Sequence, residues 1–228
     1  MNSLLILQKV RMRNDTLQVC FVLDCTASMQ PWIDAAKDKI VDTLNSIRQR
    51  YPDYQITAAF IGYRDFHDRE QFIRMDFTPD IQYLQDSILD VVAEGGDDIC
   101  EDVAGAYRFI NGLEWHSRVR CVFHITDAPN HGVDYHEDHV EDDYPDGHPY
   151  INLKQEVRDL AHKNIDLTVF SINQTTDVMY RIMRNIYKDI RPDGFSVVNL
   201  RNRRYVPSDA FYSEISQRII TSMSSDPR

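Results

Sequence analysis

The stretch Phe21–Met29 reads FVLDCTASM. Its apolar run, which starts at Val19, ends on Asp24, and two hydroxyl side chains follow at alternate positions, Thr26 and Ser28. Val19–Leu23 is apolar without alternation, as expected of a strand covered on both faces. An acid closing such a strand, with two hydroxyls behind it, has three chemical uses: nucleophile, phosphate grip or metal seat.

The flanking pattern sets the fold. Behind Pro31, residues Ile33, Ala36, Ile40, Leu44 and Ile47 recur at three- and four-residue steps and predict an amphipathic helix. Tyr54–Tyr63 predicts a second strand, and Phe72–Phe77 a shorter one at a sheet edge. Thr78-Pro79-Asp80 opens a helix, with Ile81, Leu84, Ile88 and Val91 inward. After Gly95-Gly96, further helices are expected around Val103–Leu113, Leu153–Leu160 and Val178–Ile186. A last one is capped by Ser208, with Phe211, Ile215 and Ile219 inward. Strands are expected at Val119–Ile125, Ile165–Ile172 and Phe195–Val198. Strands alternating with helices predict an α/β fold. It is a three-layer, doubly wound, Rossmann-like and mostly parallel sheet, with helices on both faces and one short antiparallel edge strand. Residues 17–223 form the domain, with an N-terminal extension over 1–16 and a tail over 224–228.

Bulk properties exclude some functions. The formal net charge of the 228 residues is −11, with no Lys/Arg block. That argues against nucleic-acid binding and anionic membrane surfaces. No apolar run approaches the ~20 residues of a membrane span, and Leu4–Leu7 is too short for a signal segment. Cys20, Cys25, Cys100 and Cys121 are scattered without metal-finger or CxxC spacing, which points to a reducing, cytoplasmic setting.

In doubly wound sheets, ligands bind beyond the carboxyl ends of the strands, where strand order reverses. The strands ending at Asp24 and near Asp127 flank that point, so two aspartates converge. Three loops then face one crevice: Asp24–Ser28, Glu94–Asp102 and Ile125–Pro129. Their carboxylates and hydroxyls, without clustered Lys or Arg, suit a hard divalent cation, Mg²⁺ first, then Mn²⁺ or Ca²⁺.

With these residues in place, the chain resembles a von Willebrand factor type A domain, and the three loops resemble its metal-ion-dependent adhesion site. The family pattern Asp-x-Ser-x-Ser matches Asp24, Thr26 and Ser28, and the third-loop aspartate matches Asp127. The second-loop position falls on Asp98, or on Asp97 if the alignment slips by one. The stretches CFVLDCTASM, IGYRD, GGDDICEDVAGA, ITDAPNHG and YPDGHPY are most similar to A-type domains found beside alpha-type protein kinases. The resemblance implies a protein-interaction module. Thr26 and Ser28 would ligate the metal directly, and Asp24 and Asp127 directly or through water. A partner's Asp or Glu carboxylate would complete the shell, with a kinase or other domain in the same or another chain as a possible partner. Asp98 would add a third carboxylate and weaken the capture of an outside anion.

Other readings stand beside this one. A phosphotransferase or phosphatase of the haloacid dehalogenase-like type would use Asp24 as nucleophile, although Thr26 stands where such enzymes carry a second Asp. A metallohydrolase would combine Asp24 and Asp127 with His131 and His136. The stretch His131–Tyr150 holds four histidines: His131, His136, His139 and His148. It reads either as a partner-facing or structural loop at the crevice rim or as a transition-metal tract, with His136 and His139 spaced for one helical turn. Cys25 and Cys100 are reduced thiols or a redox pair. Arg64 and Asp65 form a structural ion pair or loop brace, or Arg64 recognises an acidic ligand.

Overall fold

The computed structural model describes residues 15–201 and 208–225, with the side chains of residues 208–211 excepted. The Leu4–Leu7 run, the Ser208 cap and the inward placement of Phe211 lie outside the described residues. The decisive stretch forms β1, Asp15–Asp24, whose last eight residues are buried without a break. Successive side chains of a strand leave on opposite faces. Leu17, Val19, Phe21 and Leu23 accordingly enter one core, and Cys20 and Val22 enter another.

The first core is closed by α1 (Gln30–Arg50), α2 (Ile81–Leu89) and α6 (Ser208–Ser225). The second is closed by α3 (Val103–Gly112), α4 (Leu153–His162) and α5 (Asp177–Ile190). Between them lies one sheet, completed by β2 (Tyr54–Tyr63), β3 (Phe72–Thr78), β4 (Val119–Thr126), β5 (Asp166–Ser171) and β6 (Phe195–Asn199). Its order is β3-β2-β1-β4-β5-β6. All pairs are parallel except β2–β3, which places the expected antiparallel strand at the edge. The chain leaves β1 for β2 on one side and returns to β4 on the other, so strand order reverses between β1 and β4.

Element ends follow local chemistry. Pro31 occupies the first turn of α1, where its missing N–H costs nothing. Asp80 caps α2 by accepting from Gln82 N and Tyr83 N. The last helix runs on to Ser225, into the stretch read as a tail. Met223 still packs on the core, and the Ser224 and Ser225 hydroxyls bond back to the carbonyls of Ile220 and Thr221. Likewise β1 begins at Asp15, inside the stretch read as an extension, because Asp15 pairs with Tyr54.

One polar group sits deep under the site. His124 on β4 is fully buried, with Tyr63 Oη 2.8 Å from Nε2 and Tyr107 Oη 3.1 Å from Nδ1. Two hydroxyls satisfy a neutral ring without charging it, and burial pushes the imidazole from 6.5 down to about 3. The folded state therefore refuses a proton that the unfolded chain accepts. Stability contributed by neutral His124 is complete above pH 6.5 and is lost as the pH falls toward 3. Urea midpoints across that window should drop steeply for the unaltered chain. For His124→Phe the midpoint should be lower at neutral pH, because both tyrosine hydroxyls lose their partner, but its fall with acid should be shallower.

Candidate functional site

Loop one starts where β1 stops. Asp24 Oδ1 accepts from the backbone N–H of Thr26 at 3.0 Å and from its hydroxyl at 2.7 Å. Its Oδ2 accepts from the Thr126 hydroxyl at 2.8 Å, across the β1–β4 pairing that sets Leu23 beside Ile125. A short 3-10 turn, Ala27–Met29, leads from Thr26 into α1 and leaves Ser28 exposed. Ser28 Oγ donates to Asp127 Oδ1 at 3.1 Å. Loop three holds Asp127 through its carbonyl, which accepts from Asn173 Nδ2 and the Thr175 hydroxyl. The structure thus brings Asp24, Thr26, Ser28 and Asp127 together.

Loop two is laid against loop one by two backbone bonds, Ala27 N to Gly95 O and Glu94 N to Cys25 O. Gly95 and Gly96 have φ of 80° and 82°, a left-handed conformation that glycine adopts without strain. A Cβ on Gly96 would stand 2.9 Å from Glu101 Oε1 and 3.1 Å from Thr26 Cβ, so the glycine admits both residues to one corner. Asp98, the residue expected there, is held in a different environment. Its Oδ1 accepts from Cys100 N at 2.8 Å and its Oδ2 from Asp143 N at 2.6 Å, beside Asp65 and His131.

The loop-two residue that faces Thr26 is Glu101, which sequence reasoning missed. A one-residue bridge, Glu101 with Asn130, and the bond from Glu101 N to Pro129 O fasten it between loops two and three. Asn130 Oδ1 accepts from Ala104 N, and Asp102 caps α3 by accepting from Gly105 N, so the chain around Glu101 is fixed from both sides. The sequence signal was Glu101-Asp102 at a helix start. The Gly-Gly-Asp-Asp run before it drew the reading to Asp98.

The electrostatics are lopsided. Glu101 is 3% exposed, and its Oε2 has no hydrogen-bond partner. Burial pushes its carboxyl up to about 11, aided by Asp24, Asp65 and Asp68 and opposed by the Thr26 hydroxyl. Burial, then Asp127, pushes Asp24 up to about 6 against the bonds from Thr26 and Thr126. Burial also raises Asp127, with Ser28 opposing. Buried acids of this kind call for a cation. The oxygen-only donor set and the bare Glu101 oxygen fit a hard divalent ion.

Arg64 braces the loops without answering that charge. It is 2% exposed and donates to Cys25 O at 3.2 Å and Val92 O at 2.9 Å, with Glu70 and Glu94 each 3.7 Å away. The expected brace is present, but the expected ion pair with Asp65 is not. Asp65 reaches His131 Nε2 at 2.6 Å instead. The metallohydrolase set is not assembled either. His131 and His136 turn to Asp142, and His131 also to Asp65. For phosphotransfer, Thr26 spends its hydroxyl on Asp24, away from any acid/base posture.

A family model described as von Willebrand factor A domain matches residues 18–142, more than half of the 228. The chain belongs to this family. The von Willebrand factor A domain here is 31% identical over 163 residues to alpha-protein kinase vwkA of Dictyostelium discoideum. That match takes in 70% of the chain but 26% of the kinase, so the chain spans about a quarter of this relative's length. Among solved structures it is similar to the pilus adhesin SpaC of Lactobacillus rhamnosus GG, with a TM-score of 0.62 at 13% identity over 91% of this chain and 30% of that one. It is also similar to the domain of the type V pilus tip protein Mfa5 of Porphyromonas gingivalis, with a TM-score of 0.56 at 12% identity over 94% of this chain and 97% of that one. These likenesses show the fold.

Within this von Willebrand factor A domain, Arg64 holds loops one and two in contact. Arg64→Met should cost roughly 2–5 kcal/mol in denaturant unfolding, since several buried carbonyls lose a charged donor at once. Hydrogen exchange should rise first in residues 92–101. A loss below about 0.5 kcal/mol would show that the loops hold without it.

Proposed function

We propose that this domain is a protein-interaction module, comprising residues 17–223, whose site holds one divalent cation, Mg²⁺ first and Mn²⁺ or Ca²⁺ as alternatives. The observation that carries the reading is the buried Glu101 carboxyl group beside Asp24 and Thr26, whose Oε2 has no hydrogen-bond partner. Thr26 and Ser28 would offer hydroxyl oxygens, and Asp24, Asp127 and Glu101 carboxylates. Glu101 takes the place first given to Asp98. A bound cation would supply an electrophilic anchor for an acidic group on a protein partner. The chain's own residues set how strong that anchor is. Three carboxylates offset a charge of +2, so Glu101 tempers the pull on an outside anion while holding the ion tightly. The similarity to an alpha-type kinase favours a setting beside a kinase or other domain, in the same or another chain. The four free cysteines favour the cytoplasm, where thiols stay reduced. Among the described residues, no helix is long and apolar enough to cross a membrane.

Thermal melts in Mg²⁺, Mn²⁺, Ca²⁺ and chelator test the cation. At a hundredfold excess over the dissociation constant, stabilisation should be about 2.7 kcal/mol, or about 5–10 °C for a domain of this size. Asp24→Asn should abolish the shift, Glu101→Gln should reduce it without removing it, and Asp98→Asn should keep it. The reading fails if no hard cation stabilises the chain, or if Asp98 rather than Glu101 proves necessary.

The partner chemistry is tested separately by titrating a short Asp- or Glu-containing peptide in Mg²⁺. Glu101→Thr should bind it more tightly than the unaltered chain, because one negative charge leaves the ion's shell. Equal or weaker binding would remove the acidic ligand from the proposal.

A further inference from the structure

A second cluster of ligating side chains lies behind loop two, built mostly from the segment between β4 and α4. Residues 127–152 contain no helix and no strand beyond the Glu101–Asn130 bridge. Long irregular stretches bury little unless something fastens them. Here His131 and His136 are buried, as is the side chain of Asp142, and Cys100 of loop two is buried against them. One ligand atom each from Cys100, His131 and Asp142 lies within 4.8 Å of the others. His131 Nδ1 is 2.7 Å from Asp142 Oδ1, and His136 Nε2 is 3.0 Å from Asp142 Oδ2.

We propose that Cys100, His131, His136 and Asp142 form a four-coordinate zinc-type site that staples this segment to loop two. Mixed sulfur, nitrogen and oxygen donors select a borderline ion over Mg²⁺ or Ca²⁺. Zinc bonds of about 2.0–2.3 Å put tetrahedral ligands roughly 3.3–3.8 Å apart. That lies between the two short His–Asp contacts and the outer limit of the Cys100–His131–Asp142 triad, so Asp142 retreats slightly, Cys100 moves in, and His136, which meets this group at Asp142, swings toward the ion as the fourth ligand. His131 and His136 have four residues between them, within the usual His-x(3–5)-His interval.

The outer contacts match as well. Once His131 Nδ1 is committed, its Nε2–H faces Asp65 Oδ1 at 2.6 Å. Once His136 Nε2 is committed, its Nδ1–H faces Glu137 O at 3.1 Å. Metal-bound histidines characteristically donate their other N–H to a carboxylate or carbonyl in this way. Binding releases the Cys100 thiol proton to solvent, along with any proton shared between His131 and its carboxylates. The thiol's own hydrogen bond is weak, 3.7 Å to Glu141 O, so little is lost. Asp142 keeps the backbone N–H groups of Gly132 and Tyr144, which hold it in place as a ligand.

The test is the metal content of the full chain, purified without added metal and dialysed, read by mass spectrometry of the elements. About one zinc per chain is expected. It should be unchanged in Asp24→Asn, which touches only the crevice site, and lost in Cys100→Ser and in His136→Asn. Asp65→Asn should weaken zinc by about 10–100-fold. If the variants do not fold, Co²⁺ titrated into the unaltered, metal-stripped chain decides. An intense thiolate-to-cobalt charge-transfer band supports the site. Absence of that band, or zinc binding that survives both Cys100→Ser and His136→Asn, overturns it and leaves the cluster as a hydrogen-bonded cage.

Discussion

Asp24 is gripped between two threonines, and the Thr126 half of that grip exists only because β1 and β4 run parallel and in register. Thr26 reaches back from loop one and Thr126 reaches across from the neighbouring strand. Each uses one carboxylate oxygen, so the acid is fixed in plane and position. The pairing of Leu23 with Ile125 makes the second bond geometrically possible. It also brings Asp127 within reach of Ser28. The two cores clamp this sheet from both faces, so the ends of β1 and β4 cannot slide without disturbing packed side chains on either side. Precision at the crevice is inherited from apolar burial far below it.

Much of this was legible in the sequence because period and strand order carry it. The helices announced themselves through inward residues three and four apart, and β1 through an unbroken apolar run. The convergence of Asp24 and Asp127 followed from the reversal of strand order alone. Loop two was not legible in the same way. Which of its acids faces Thr26 depends on two left-handed glycines and on a local turn that Asp98 itself builds. Asp98 does so by accepting from Cys100 N nearby and from Asp143 N far along the chain. That last bond is a long-range contact with no local signal. The histidines taught the same lesson. Pairing His136 with His139 assumed helical spacing, but the segment has no helix. His139 is exposed, while His131 and His136 meet around Asp142.

Loop two also shows how a short segment serves two neighbourhoods. Cys100 and Glu101 are consecutive, yet Cys100 belongs to the cluster with His131 and Asp142, and Glu101 to the crevice with Asp24. Arg64 ties the start of this loop to loop one, and Asn130 ties its end to α3. With both ends fastened, a small shift at Cys100 must be felt at Glu101.

The charges make that coupling more than mechanical. The crevice gathers Asp24, Glu101 and Asp127, and the neighbouring cluster gathers Asp65, Asp98 and Asp142 around His131. Asp65 belongs to the second group, yet its field is among the causes that hold Glu101 protonated. Positive charge placed in the cluster would cancel part of that field and make Glu101 easier to ionise, which is the form a ligand needs. Direct repulsion between cations in the two sites opposes this, but each site carries surplus carboxylate that screens its neighbour. The balance therefore turns on geometry. Whatever fixes Cys100 also fixes the direction in which Glu101 points, and a carboxylate already aimed at Thr26 surrenders less conformational entropy on binding an ion than one that must be gathered in.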